Sequence, residues 1–264
     1  MAAMNEALVH LLAQPLWVFI SVLSRLSPVL MLAPPTRSLA IPMRIRALVA
    51  LAAAALLTPV VMSQAMPMPT DMIHLVLAVA KEALLGLLLG TVVMMAIMGM
   101  QIAGQIASHL AGFDMATAAD PGSSDDIPVI SNLLGWLAMI LLLILGGHRQ
   151  LLECCLESFA RYPVGMVTLH EDWWREAVHV LQHAFEVGIR AAAPMGIALL
   201  LANLVTGLLA RTLPQLNVLA VGFNINALAL LTLLLITMGG ISYVFQYELS
   251  SWIASCHRIV ATDP

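Results

Sequence analysis

Six long apolar runs dominate this chain, at residues 8–32, 45–62, 72–102, 129–145, 178–209 and 218–241, none with the alternation of a half-buried strand. Hydrocarbon offers the backbone no water to bond, so only helices and closed barrels cross a membrane. A helical crossing needs about 20 residues, and these long apolar runs suit helices. The sequence therefore predicts an all-α integral membrane protein of six long apolar helices, some kinked. The residue balance agrees: 61% hydrophobic, 10% charged and a mean hydropathy of +0.96, where soluble domains carry about 25% charged residues. The third and fifth runs exceed a simple crossing, which predicts tilt, a kink or projection beyond the bilayer. Pro194 offers one kink by removing a helix hydrogen bond.

The formal net charge of -4 and a single lysine, Lys81, argue against nucleic acid as a partner, because phosphate binding needs clustered Lys and Arg. Cys154, Cys155 and Cys256 have neither paired spacing nor a metal pattern and read as small apolar residues. No basic stretch precedes the first run, so that run is expected to be retained rather than cleaved as a signal peptide. Arg37, Arg44, Arg46 and Arg211 fall on one side of a six-crossing arrangement and Arg149, Arg161, Arg175 and Arg258 on the other. That balance supplies little orienting signal.

Residues 104–128, GQIASHLAGFDMATAADPGSSDDIP, interrupt the apolar pattern with small and acidic residues. Such a backbone belongs in water, inside protein or along a cavity, and not against lipid. Leading into it, Gly99, Ala103, Ala107 and Ala111 recur every four residues, with Gly104, Ser108 and Gly112 as a second row and Gly86 and Gly90 further upstream. Small residues at this spacing let helix backbones approach closely, and they serve internal packing and packing against other subunits equally.

Charges inside the runs mark further candidates: Arg25, Lys81 with Glu82, and Glu186 with Arg190 at the favourable i, i+4 spacing. His179 and His183, one turn beyond Glu176, have a spacing that holds zinc, but no HExxH and no further ligand pair accompanies them. Trp173 and Trp174 point to a bilayer interface. No nucleophile elbow, phosphate loop, dinucleotide fingerprint or facing acid pair is present. The expectation is a protein without catalytic residues, cofactor or metal.

Taken in order along the chain, these residues resemble the FliR family of flagellar export-gate proteins and its SctT counterpart in virulence type III secretion. The resemblance rests on Arg25, Pro28, Pro42, Arg44 and Arg46; on Glu82, Gly86 and Gly90; and on Gln101, Gly104, Gln105, Gly112, Met115, Ala116, Asp120 and Pro121. It continues through Gly147 and His148, through Ser158, Phe159 and Pro163, and into LLARTLPQLNVLAVGF, which holds Arg211, Pro214, Gln215, Asn217, Gly222 and Phe223. The family carries Asn before its Gly-His pair, where this chain has Gly146.

The resemblance implies a non-enzymatic channel component of the bacterial inner membrane and flagellar basal body. It would assemble with FliP-like and FliQ-like subunits, meet an FlhB-like protein and admit unfolded export substrates. It implies a FliP-like part over 1–176 and a FliQ-like helical hairpin over 177–264, with a plug loop at about 106–122. Gln105, Gly112, Phe113, Asp114, Met115, Asp120 and Pro121 would then belong to the plug. Gly86, Gly90, Gly99, Gly104, Ser108, Glu82, Glu186, Arg190, Arg211, Pro214, Gln215, Asn217, Gly222 and Phe223 would serve helix packing and assembly. The wording PQLNVLAVGF leans flagellar. A secondary transporter using Glu186, Arg190 and the histidines is the reading from another class.

Overall fold

A computed structural model describes residues 2–32, 42–113, 128–212 and 218–261. All regular structure among them is helical. In chain order the helices are α1 (Ala2–Leu32), α2 (Met43–Val61) with a 3-10 turn at Met62–Gln64, α3 (Met72–Ala111), α4 (Val129–Ile144), α5 (Gly147–Arg161), α6 (Glu171–Thr212) and α7 (Val218–Ala261). Five of these, α1, α2, α3, α6 and α7, are long and apolar enough to cross a membrane, and the bent pair α4 and α5 makes a sixth if taken as one span.

Three expectations are corrected. The segment between the fourth and fifth apolar runs, 146–177, is not a simple connection but holds all of α5 and the first residues of α6. In α5 the buried residues Leu151, Cys154, Cys155, Ser158 and Phe159 recur at helical spacing. Exposed Arg149, Glu153 and Glu157 dilute the apolarity that a search for continuous runs detects. For the same reason α7 continues well past residue 241, burying Phe245, Leu249, Trp252, Cys256 and Ile259 on one face. The segment 104–111 is the last part of α3, so the irregular stretch begins only at Gly112. Pro194 lies within α6 without ending it.

The chain forms two compact units: Met1–Met94, Gly146–Val180 and Ser251–Pro264 make the first, and Met95–Leu145 with Leu181–Ser250 the second. In the first, α1 buries Val18, Val22, Leu26 and Val29, and α3 buries Leu85, Leu89, Val92 and Val93. Gly86 lets these helices touch, because a Cβ there would overlap the backbone carbonyl of Arg25. A Cβ at Gly90 would stand 3.1 Å from the carbonyl oxygen of Pro28. The turn between α2 and α3, which holds Pro67 and Pro69, is pinned from α1, where Gln14 and Trp17 both donate to the Met66 carbonyl, at 3.0 and 3.2 Å.

In the second unit the small-residue rows of α3 are buried within this chain. Ala103, Ala107 and Ser108 are fully buried. A Cβ on Gly104 would come within 2.5 Å of Ser131 Cα in α4, and one on Gly99 within 2.9 Å of the Ala184 carbonyl oxygen in α6. Ser131 Oγ also donates to the Gln101 carbonyl at 2.8 Å. Close approach of backbones, the condition under which small residues drive association in lipid, is here met internally.

Candidate functional site

The C-terminal end of α3 is where the expected plug begins, and its geometry follows from one glycine. Gly112 has φ +81, a left-handed conformation that costs other L-residues about 1–2 kcal/mol. With it, the Phe113 N–H reaches the Ser108 carbonyl and the Gly112 N–H the His109 carbonyl, both at 3.1 Å. These two bonds are the Schellman ending of a helix. They leave the Leu110 carbonyl for another donor, and Asn203 Nδ2 on α6 supplies it at 2.9 Å. Asn203 Oδ1 in turn accepts from Asn226 Nδ2 on α7 at 2.6 Å. Just past the helix end, the Phe113 ring meets Phe223 with centroids 5.4 Å apart and planes tilted by 59°.

So two residues expected in separate roles, Phe113 in the plug and Phe223 in assembly, touch within one unit. Gly222, beside Phe223, is buried, and a Cβ on it would stand 3.0 Å from Thr206 Cγ2. Gln105 is exposed about two turns before Gly112 on α3. Arg211 is exposed in the last turn of α6, where a cation suits the helix dipole. Asp114, Met115, Asp120, Pro121, Pro214, Gln215 and Asn217 lie outside the described residues, as do Arg37, Asp125 and Asp126.

The charges inside apolar helices are paired. Arg25 and Glu82 are both fully buried in the first unit, with Arg25 Nη2 2.5 Å from Glu82 Oε2 and Nε 2.6 Å from the same oxygen. The rest of the guanidinium is also engaged: Nη1 donates to the Ser158 carbonyl at 2.9 Å and Ser158 Oγ at 3.2 Å, and Nη2 to the Tyr162 carbonyl at 2.9 Å. Its carbon lies 4.1 Å from the centre of the Phe159 ring. Glu82 Oε1 takes the Gly165 N–H at 3.0 Å, and Gly165 is itself at φ +86. One ion pair thereby joins α1, α3, α5 and the turn after α5. Lys81, beside Glu82 in sequence, instead lines a cavity of about 380 Å³ with Asp71 and His74.

Glu186 and Arg190 pair as their spacing predicts. What the spacing did not reveal is Glu248 on α7, 4% exposed, whose Oε1 lies 2.7 Å from Arg190 Nη1 and whose Oε2 lies 3.0 Å from His183 Nε2. The two histidines are thus split, His183 toward Glu248 and His179 toward Glu176 at 3.8 Å. Among the described residues no three His, Cys, Asp or Glu side chains converge on a metal position. Trp173 is buried within the chain, where it donates to the Ile259 carbonyl at 3.2 Å and meets Tyr162 edge-on, whereas Trp174 is exposed. The three cysteines are free and buried.

Between α4 and α5 the chain turns at Gly146, which has φ +73 and open space where a Cβ would project. Gly and Asn are the residues that most readily take this conformation. The Gly at this position, where Asn was expected, therefore suits the turn as Asn would.

Comparison with known proteins bears on the whole chain. The family described as "Bacterial export proteins, family 1" matches residues 16–252. The chain is 28% identical to the flagellar biosynthetic protein FliR of Caulobacter vibrioides, over 85% of this chain and 89% of that one. It is 29% identical to FliR of Bacillus subtilis, over 71% and 74%. It is also 28% identical to the Yop proteins translocation protein T of Yersinia pestis, over 63% and 64%. A bacterial multi-pass chain of apolar helices belongs to the inner membrane, since outer-membrane spans are barrels. With the family match running from α1 into the last third of α7, this inner-membrane chain belongs to family 1 of the bacterial export proteins and works within a protein-secretion apparatus.

Proposed function

We propose that this chain is a component of the flagellar type III export gate. In this reading it assembles with FliP-like and FliQ-like subunits, meets an FlhB-like protein, and helps form and seal the channel through which unfolded substrates leave the cytoplasm. The observation that carries it is the match over residues 16–252 together with relatives named flagellar biosynthetic protein FliR in Caulobacter, Bacillus and Escherichia coli.

The exposed surface supports a chain built for an assembly. Leu228, Leu235 and Ile236 on α7 and Leu201, Leu204 and Leu208 on α6 are all more than half exposed. Such faces require lipid or partner helices. Residues 177–264 act as the FliQ-like hairpin: Asn203 pairs with Asn226 and Arg190 with Glu248, the order of partners in an antiparallel pair. Residues 1–176 form the FliP-like part, and 106–122 the plug, with Phe113 as its blocking side chain.

Co-expression with FliP-like and FliQ-like proteins followed by purification tests the assembly, and a chain recovered alone that accumulates a small solute overturns it in favour of a transporter. Deleting residues 110–116 should raise ion leakage through the assembled gate, and unchanged conductance would sink the plug. The translocation relative from Yersinia supports a second setting, the virulence apparatus. Restoration of motility, rather than of effector secretion, in cells lacking the corresponding subunit separates the two.

A further inference from the structure

Between Arg190 and Arg211, helix α6 is almost wholly apolar, and Asn203 is its one amide. A primary amide in such a run is costly unless paired. Asn203 uses its amide nitrogen on the Leu110 carbonyl, which the Schellman ending of α3 leaves over, and its amide oxygen on Asn226. Asn226 is the more deeply placed of the two, only 7% exposed, and its own Oδ1 has no partner among the described residues. That orientation spends a buried acceptor to aim Nδ2 at Asn203. The next residues along each chain close the same corner: Phe113 lies three positions beyond Leu110, and Phe223 one helical turn before Asn226, with the two rings in contact.

We propose that Asn203 and Asn226 are positioning residues for Phe113. The relay Asn226 to Asn203 to the Leu110 carbonyl fixes the end of α3, and with it the place of the Phe113 ring on Phe223. Neither amide touches a passing substrate in this role; both act through the helix end. The inference rests on Phe113 being the blocking side chain of the gate. It adds that the seal is set from α6 and α7 and not by the loop alone.

The relay has a direction, because Asn203→Ala removes the bond to Leu110, whereas Asn226→Ala leaves that bond in place. Asn203 makes two of these hydrogen bonds and Asn226 one, so Asn203→Ala is the larger change on either account, and the readout separates them. A purely structural role lowers recovery of the complex in Asn203→Ala; positioning of Phe113 raises leakage with recovery unchanged.

The test uses the full chain assembled with its FliP-like and FliQ-like partners, reading ion leakage and recovery of the complex together. Asn203→Ala should raise leakage about fivefold, the shift in a closed-to-open equilibrium that loss of one net hydrogen bond produces. Asn226→Ala should raise it less, with recovery of both complexes unchanged. Deletion of 110–116 is the reference. If that deletion leaks and Asn203→Ala does not, the relay is wrong while the plug stands; if the deletion itself is silent, the plug reading fails first. Leakage greater in Asn226→Ala than in Asn203→Ala would show that the bond to Leu110 does not set the seal, and loss of the complex in Asn203→Ala would show a structural role; either overturns the proposal. Asn203→Ser, which is too short to reach the carbonyl, should repeat the Asn203→Ala result.

Discussion

Replacing Arg25 by Ala is the sharpest test of how the first unit is held together. The guanidinium is fully buried and serves three acceptor residues, Glu82, Ser158 and Tyr162. Without it the Glu82 carboxylate keeps only the Gly165 N–H, and breaking a buried pair from one side costs about 3–5 kcal/mol. The Ser158 and Tyr162 carbonyls lose a donor as well, at about 1–3 kcal/mol for each that finds no replacement. The overlap of these costs in one network makes their sum an upper bound. A loss of about 4 kcal/mol corresponds to a fall in melting temperature of roughly 8–16 °C for a chain of this size.

Intrinsic tryptophan fluorescence of the detergent-purified protein during heating would read this shift. Arg25→Lys should recover little, since one ammonium cannot span acceptors contributed by α1's neighbours on α3, α5 and the following turn. The double change Arg25→Met with Glu82→Leu should be milder than Arg25→Ala, because it leaves no charge stranded. If Arg25→Ala shifts the transition by under about 2 °C, or if Arg25→Ala and Glu82→Ala add independently, the ion pair does not hold these helices together.

Gly86→Ala should sharply reduce accumulation of the chain in membranes, because its Cβ meets the Arg25 backbone, while Gly239→Ala, with open space at its Cβ, should be neutral or slightly stabilising; immunoblotting of membrane fractions compares them. Gly146→Asn should leave the melting temperature nearly unchanged and Gly146→Ala should lower stability by about 1–2 kcal/mol, the cost of a left-handed residue with a Cβ. Glu248→Ala should lower stability by about 2 kcal/mol because it strips a buried acceptor from Arg190 and His183. Glu186→Ala, at the 60% exposed end of the same cluster, should cost under about 1 kcal/mol. Equal effects of the two in a melting assay would contradict this ranking.

The membrane helices were legible because lipid imposes one rule, continuous apolarity, on residues such as those of 72–102. Where that rule lapses, the reading from runs lapsed too. Helix α5 and the last turns of α7 carry their apolar residues only on one face, so their signal is the spacing of Leu151, Cys155 and Phe159, or of Phe245, Leu249 and Trp252. Arg25, Glu82, Glu186 and Arg190 stood out as charges in oily surroundings, and three of these four found partners that no spacing rule reaches. Arg25 meets Glu82 57 positions away and Arg190 meets Glu248 58 positions away. Asn203 is the one amide between Arg190 and Arg211 and Asn226 follows Asn224 in the last run, yet only the fold links Asn226 to Asn203 and Asn203 to the Leu110 carbonyl. Gly112 and Phe113 are a different case: the glycine's freedom was readable locally, but the ring that receives Phe113 lies on α7.

Helices α3, α6 and α7, with 40, 42 and 44 residues, are each about 60–66 Å long at 1.5 Å per residue, twice the roughly 30 Å of bilayer hydrocarbon. A bilayer crossed along its normal therefore covers about half of any one of them along its axis. Yet apolar side chains stay exposed from Phe185 to Leu209 on α6 and from Phe223 to Tyr247 on α7. Each of these stretches is 25 residues, about 37 Å at 1.5 Å per residue, close to what one tilted crossing covers. The rest of each helix therefore extends beyond the hydrocarbon, into the headgroup layer and the water next to it.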